Sequence, residues 1–124
     1  TACHDLPEDP DEPDQTTITR LGGGPAITVV DRSMVSDPRL VRFLAQTGER
    51  EGIPFQFRSP QHAGGTDAGA IHLTRGGVPS AVVANPCRYL HGPASVMNLS
   101  DFENQSRLLR AAWMALTPAV LERD

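Results

Sequence analysis

The sequence predicts the α/β class, with a mainly parallel sheet flanked by helices, and three observations carry that expectation. Short apolar, β-branched runs recur at residues 26–30, 53–57 and 80–84. Stretches of helical spacing, each with its own start or stop signal, lie between and after them. The order strand, helix, strand, helix, strand, helix is the one that builds a sheet with helices packed against it.

Taken in order, the opening Thr1-Ala2-Cys3-His4-Asp5 reads as a short strand-like stretch that ends in a carboxylate. It has neither an initiator Met nor a signal-peptide pattern, so the chain is expected to be either processed or cut from something larger. Residues 7–24 are expected to form a solvated loop. Pro7, Pro10 and Pro13 stand among Glu8, Asp9, Asp11, Glu12 and Asp14, and Gly22-Gly23-Gly24-Pro25 closes the stretch. Prolines deny the backbone its ladder donors, and clustered carboxylates favour water. There is no internal repeat.

Ala26-Ile27-Thr28-Val29-Val30 then has the apolar, branched character of a buried strand. Ser36-Asp37-Pro38 supplies a cap followed by proline at the first helical position. Leu40, Phe43, Leu44 and Thr47 share one face of that helix, and Gly52 stops it. Ile53-Pro54-Phe55-Gln56-Phe57 alternates as a strand, with Pro54 tolerated near its start. Gly64-Gly65 precedes a helix expected over residues 66–73, which Gly76-Gly77 ends. Ser80-Ala81-Val82-Val83-Ala84 is a third strand, closed by Asn85-Pro86. Ser100 with Glu103 makes a capping box for a last helix, in which Leu109, Ala112, Trp113 and Leu116 share a face and Pro118 marks the end.

The length of 124 residues suits one compact domain, here taken as residues 1–124. With 39% apolar and 21% charged residues the chain reads as soluble and globular. A net charge of −4 leaves no basic footprint for nucleic acid and no cationic cluster for an anionic membrane. No apolar run is long enough to span a bilayer. The two cysteines, Cys3 and Cys87, are too few for a disulfide framework; reduced thiols in a cytoplasmic protein are expected, with a single staple as the alternative.

In open α/β sheets, functional groups gather beyond the carboxyl ends of strands. That rule directs attention to the loop from Asp5, residues 58–67 and residues 85–93. Asp5 and His91 are a carboxylate and an imidazole at strand ends, a donor pair suited to zinc, cobalt or manganese, although spacing alone leaves both open to ordinary capping or polar roles. Cys3-His4 with Cys87 and His91 could instead suggest a structural zinc, but the paired knuckle spacing such sites use is missing. Gly64-Gly65-Thr66-Asp67 admits two readings of equal weight. The glycines and a helix start could receive a substrate carboxylate or oxyanion, or Thr66 or Asp67 could simply cap the helix. No G-x-S-x-G elbow, Walker A loop or dinucleotide fingerprint occurs.

Five motifs in order give these pieces a common identity: Gly24-Pro25-Ala26-Ile27; Asp31-Arg32-Ser33-Met34-Val35-Ser36-Asp37-Pro38; Gly64-Gly65-Thr66-Asp67-Ala68-Gly69-Ala70-Ile71-His72; Gly77-Val78-Pro79-Ser80; and Arg88-Tyr89-Leu90-His91. They closely resemble the C-terminal part of the catalytic domain in the tetrahedral aminopeptidase family, which includes glutamyl and deblocking aminopeptidases and proteins once labelled cellulases. The resemblance runs from about Asp5 to the final helix.

That resemblance implies a zinc-peptidase-like catalytic domain that removes residues from peptide N-termini with two divalent metals, zinc or cobalt. It matches Asp5 to a ligand of one metal and His91 to a ligand of the other. A His-x-Asp motif, the bridging Asp, a Glu-Glu pair that includes the general base, and the family's dimerisation domain all lie upstream and have no counterpart here. It further implies that residues Gly64, Gly65, Thr66 and Asp67 form a substrate-side wall, with Asp67 fixing the loop, and that the protein homo-oligomerises. His72 reads as a hydrogen-bonded helix residue and Arg88 as a structural ion pair, with a substrate or a neighbouring carboxylate as the alternative partner. Two departures stand out: Gly92 where the family has Ser, and Ser95 where it has Glu. The isolated chain is therefore expected to be inactive. The alternatives are a non-catalytic binding module derived from the fold and, further off, a glycoside hydrolase, which would need a carboxylate pair and aromatic platforms that 5% aromatic content does not supply.

Overall fold

The structure, a computed structural model, describes residues 1–3, 18–58 and 64–122. Strands β1 (Ala26–Thr28), β2 (Gln56–Arg58) and β3 (Val82–Ala84) form one sheet in the order β2-β1-β3. Helices α1 (Pro38–Glu51), α2 (Ala68–Ile71) and α3 (Leu99–Ala115) surround it, and a 3-10 turn at Pro118–Leu121 follows. The α/β class stands, and all six expected elements are present, most of them shorter than their sequence signals.

The sheet is mixed. β1 runs parallel to β2 (Ile27 opposite Phe57) and antiparallel to β3 (Ile27 opposite Val83). Helix length accounts for the parallel pair. The 14 residues of α1 reach roughly 21 Å, enough to carry the chain back to the start of β1, so β2 follows in the same direction. α2 has only four residues, roughly 6 Å, and makes no such return. The chain enters β3 beside Thr28 and runs the other way.

Helix α1 begins as its sequence predicts. Asp37 is the N-cap, its carboxylate accepting the Arg39 N–H at 2.9 Å, and Pro38 takes the first helical position. Gly52 ends it in the left-handed region at φ 61°. For α3 the cap differs from the expected box: Asn98 accepts the Ser100 N–H at 2.9 Å, and the helix starts at Leu99. Asp101, which would sit inside that box, is buried instead. Its two oxygens accept the N–H groups of Gly22 and Gly24, both at 2.8 Å, which anchors α3 to the turn before β1.

The core gathers Ile27, Leu44 and Ala112, with Val41, Phe43, Phe55 and Val83 packed around them. The buried stripe of α3 is Leu108 and Ala112, four residues apart. Of the expected face, Ala112 is buried and Leu109 half-buried, whereas Trp113 is 73% exposed and Leu116 45% exposed. They rim an open groove of about 500 Å³, with Leu40, Phe43 and Ile71 among its walls. Residues 4–17 lie outside the described residues, and the end of the expected solvated loop is not solvated. Ile18 and Thr19 are buried, and the Thr19 hydroxyl donates to the Ala2 carbonyl at 2.8 Å. Cys3 and Cys87 are not joined in a disulfide.

Candidate functional site

The loop beyond β3 carries His91. Asn85 and Pro86 end the strand, and a bridge between Arg88 and Val96 pins the base of the loop through N–H···O=C bonds of 2.9 and 3.2 Å. Tyr89 and His91 both adopt left-handed backbone, at φ 60° and 66°, a conformation that costs a residue with a side chain about 1–2 kcal/mol. The Tyr89 carbonyl offsets part of that cost by accepting the Gly92 N–H at 2.9 Å and the Ser95 hydroxyl at 3.2 Å. Ser95, where the family resemblance expects a carboxylate, thus stabilises the turn rather than the ring of His91. His91 is exposed.

Asp5 lies outside the described residues. The short stretch leading towards it pairs in parallel with the stretch leading to His91, through the bridge of Ala2 with Cys87 and a 2.9 Å bond from the Cys3 N–H to the Cys87 carbonyl. Among the described residues, no three of His, Cys, Asp or Glu come together to hold a metal. The two cysteines and His91 do not build a structural zinc site there.

The turn at residues 64–67 sits elsewhere. Because β3 is antiparallel to β1, this turn and the His91 loop leave opposite ends of the sheet, separated by three residues of strand, roughly 10 Å. The rule that gathers sites at strand carboxyl ends assumes parallel strands, and here it divides the candidates into two groups.

The turn rests on Asp31 and Ser33, two residues singled out by no functional signal in the sequence. Asp31 is buried, and one of its oxygens accepts the Ser33 N–H at 2.7 Å, the Ser33 hydroxyl at 2.7 Å and the Met34 N–H at 3.0 Å. The other accepts the Thr66 hydroxyl at 3.1 Å. Burial alone would raise the Asp31 pKa, but the hydrogen bonds from Ser33, Thr66 and Met34 outweigh it and hold the carboxyl below its ordinary value. The available signal was Asp31-x-Ser33, the spacing of a side chain that closes a turn on the N–H two residues on.

Two readings of the turn need correction. Asp67 does not fix it: its side chain makes no cap bond and is exposed, while its backbone carbonyl accepts the Ala70 and Ile71 N–H groups. The helix start is also less free than two glycines suggest, since the Gly69 N–H is bonded to the Thr66 carbonyl and α2 is a single turn. His72 behaves as expected, half-buried with Nδ1 3.2 Å from the Ala68 carbonyl. Arg88 pairs through its backbone with Val96.

Comparison with known proteins adds to this geometry. A family model described as M42 glutamyl aminopeptidase matches residues 1–108. The chain is 36% identical over 92 residues to the glutamyl aminopeptidase of Lactococcus lactis, a match spanning 74% of this chain and 25% of that protein. It is 31% identical over 101 residues to the lysyl aminopeptidase of Pyrococcus furiosus, spanning 82% of this chain and 28% of that one. Among solved structures, an aminopeptidase from the archaeon Desulfurococcus kamchatkensis superposes with a TM-score of 0.89 at 33% identity, over 98% of this chain and 34% of that chain. The chain thus spans about a quarter to a third of the length of the relatives it matches.

Proposed function

The chain belongs to the M42 glutamyl aminopeptidase family, and on that footing we propose that it forms part of the catalytic domain of a two-metal aminopeptidase acting on peptide N-termini. The observation that carries this reading is the family match over residues 1–108, a span that includes both Asp5 and His91. The parallel pairing of Ala2 with Cys87 supports it, since it starts the two ligand-bearing segments side by side.

In this reading Asp5 serves one metal and His91 the other, with zinc or cobalt as the ions. The metals would polarise the scissile carbonyl and acidify a bound water. The described residues do not fit a complete metal site, as one exposed imidazole cannot hold two ions. The bridging carboxylate, the remaining ligands and the general base come from outside this chain, so residues 1–124 alone are inert as a peptidase. His91 contributes a donor on a loop whose left-handed backbone is pinned at Tyr89. Residues 64–67 form a wall for the peptide from the other end of the sheet.

The same reading includes a homo-oligomer, because one structural relative is described as assembling into a tetrahedron or a large octahedral shell. It includes a cytoplasmic location, consistent with neither cysteine being in a disulfide. Among the described residues no helix is long and apolar enough to cross a membrane. A non-catalytic module is the second reading, favoured by the lack of a three-ligand cluster among those residues.

Calorimetric titration of the 124-residue chain with Zn²⁺ and Co²⁺, with parallel assays on leucyl and glutamyl anilides, tests the proposal. Neither tight binding nor turnover is expected from this chain. Both should appear in a longer protein that carries it, and His91→Ala should abolish them there. A longer protein that binds no metal and cleaves no anilide would leave the non-catalytic module as the better account.

A further inference from the structure

The turn at residues 64–67 owes its shape to a different connection, the one between β1 and α1. Thr66 is held twice: its hydroxyl donates to Asp31 at 3.1 Å, and its backbone N–H donates to the Ser33 hydroxyl at 3.2 Å. That Ser33 hydroxyl donates in turn to the same carboxylate at 2.7 Å. One buried carboxylate and one hydroxyl therefore set both the backbone and the side chain of Thr66.

The neighbouring glycines fit the same arrangement. A Cβ on Gly69 would lie 2.4 Å from the Ser33 Cβ, and one on Gly65 would lie 3.3 Å from it. Both glycines let Ser33 approach the turn. At Gly64 a Cβ would meet nothing within 4 Å, so this is the glycine whose backbone faces open space. Ser33 is itself placed by the Asp31 turn, which a 2.9 Å bond from the Asp31 N–H to the Met34 carbonyl and the bridge of Val30 with Val35 close.

We propose that Asp31 and Ser33 are positioning residues, which lock Thr66 so that the open backbone at Gly64 is presented in one fixed orientation to the peptide substrate. This rests on residues 64–67 being a substrate wall. A preset wall spares the peptide the cost of ordering the turn on binding, so its loss weakens substrate affinity and leaves the chemical step unchanged.

Thr66→Val and Thr66→Ser form the decisive pair, because Thr66 is only half-buried and Val keeps its shape while removing the hydroxyl. On the 124-residue chain, amide NMR with hydrogen exchange reads the turn directly. Thr66→Val and Asp31→Asn should shift the Gly64 and Gly65 resonances and speed exchange at the Thr66 amide, and Thr66→Ser should not. In the longer enzyme carrying this chain, Thr66→Val should raise KM by about three- to tenfold, the range set by one lost hydrogen bond, with kcat within about twofold. Thr66→Ser should restore KM. Unchanged turn resonances in Thr66→Val would overturn the positioning role. A loosened turn with unchanged KM would instead overturn the substrate-wall reading and leave the clamp itself intact. A fall in kcat at constant KM would also count against the proposal, because it would place Thr66 in the chemical step.

Discussion

The Asp101 carboxylate accepts the Gly24 N–H at 2.8 Å, although the two residues are 77 positions apart in the chain. Its second oxygen takes the Gly22 N–H at the same distance. The first turn of the last helix is thereby fastened to the turn that launches the central strand. Asp101→Ala would leave two backbone donors without their acceptor in a site that is 1% exposed. A loss of about 2–4 kcal/mol is expected in urea denaturation. Asp101→Asn keeps one acceptor and should lose less. A cost below about 1 kcal/mol for Asp101→Ala would mean that water replaces the carboxylate.

Gly24 and Gly52 both have positive φ, at 86° and 61°, but their surroundings differ. A Cβ at Gly24 would lie 2.3 Å from the Pro54 carbonyl oxygen, whereas at Gly52 it would meet nothing within 4 Å. Gly52→Ala should therefore cost only the left-handed penalty, about 1 kcal/mol. Gly24→Ala must also displace backbone and should cost clearly more, about 3 kcal/mol or above. Equal costs in denaturant melts would show that the Pro54 segment yields without strain.

Acid should weaken the fold through Asp31 and Asp37. The hydrogen bond from the Arg39 side chain, at 2.6 Å, is the main cause that holds Asp37 below its ordinary value, and burial opposes it. At Asp31 burial is likewise outweighed by hydrogen bonds. A carboxyl depressed in the folded state contributes stability that is full above its unfolded pKa of about 3.9 and disappears as pH falls through the folded value. Denaturation midpoints should be level from neutral pH to about 5 and fall below about 4. The variant carrying Asp31→Asn and Asp37→Asn should start lower and show a flatter decline. An equally steep fall in that variant would assign the acid sensitivity to other carboxylates.

The groove between α1 and α3 should make the isolated chain associate with itself. Trp113, its most exposed large wall, is the only tryptophan in the sequence, so its emission reports the groove alone. Raising the concentration should shift that emission to the blue while light scattering shows mass above 13.3 kDa. Trp113→Gln should raise the concentration needed for half-association by tenfold or more, as expected of an aromatic anchor. Association that persists unchanged would point to the open sheet edges instead.

How much of this was legible in the sequence varies with the range of the interactions involved. Helix α1 was readable at both ends, because Asp37, Pro38 and Gly52 act within a turn of where they stand. The α3 box failed for a long-range reason: Asp101 is committed to Gly22 and Gly24, and the cap falls to Asn98. Its apolar face was legible in part: Ala112 joins the core beside Leu44, whereas Leu108, outside the expected face, is buried and Trp113 and Leu116 stay exposed at the groove. The clamp of Asp31 on Thr66 joins residues 35 apart and leaves no local pattern beyond the turn spacing of Asp31 and Ser33.

By itself, the sequence determined the α/β class, the order of the elements and the family, since these rest on local periodicity, caps and ordered motifs. Tertiary structure decided the direction of β3. The strand enters beside Thr28 and runs against β1, with Ile27 opposite Val83. That single reversal puts the His91 loop and the turn at residues 64–67 at opposite ends of the sheet, and no reading of spacing along the chain contains it.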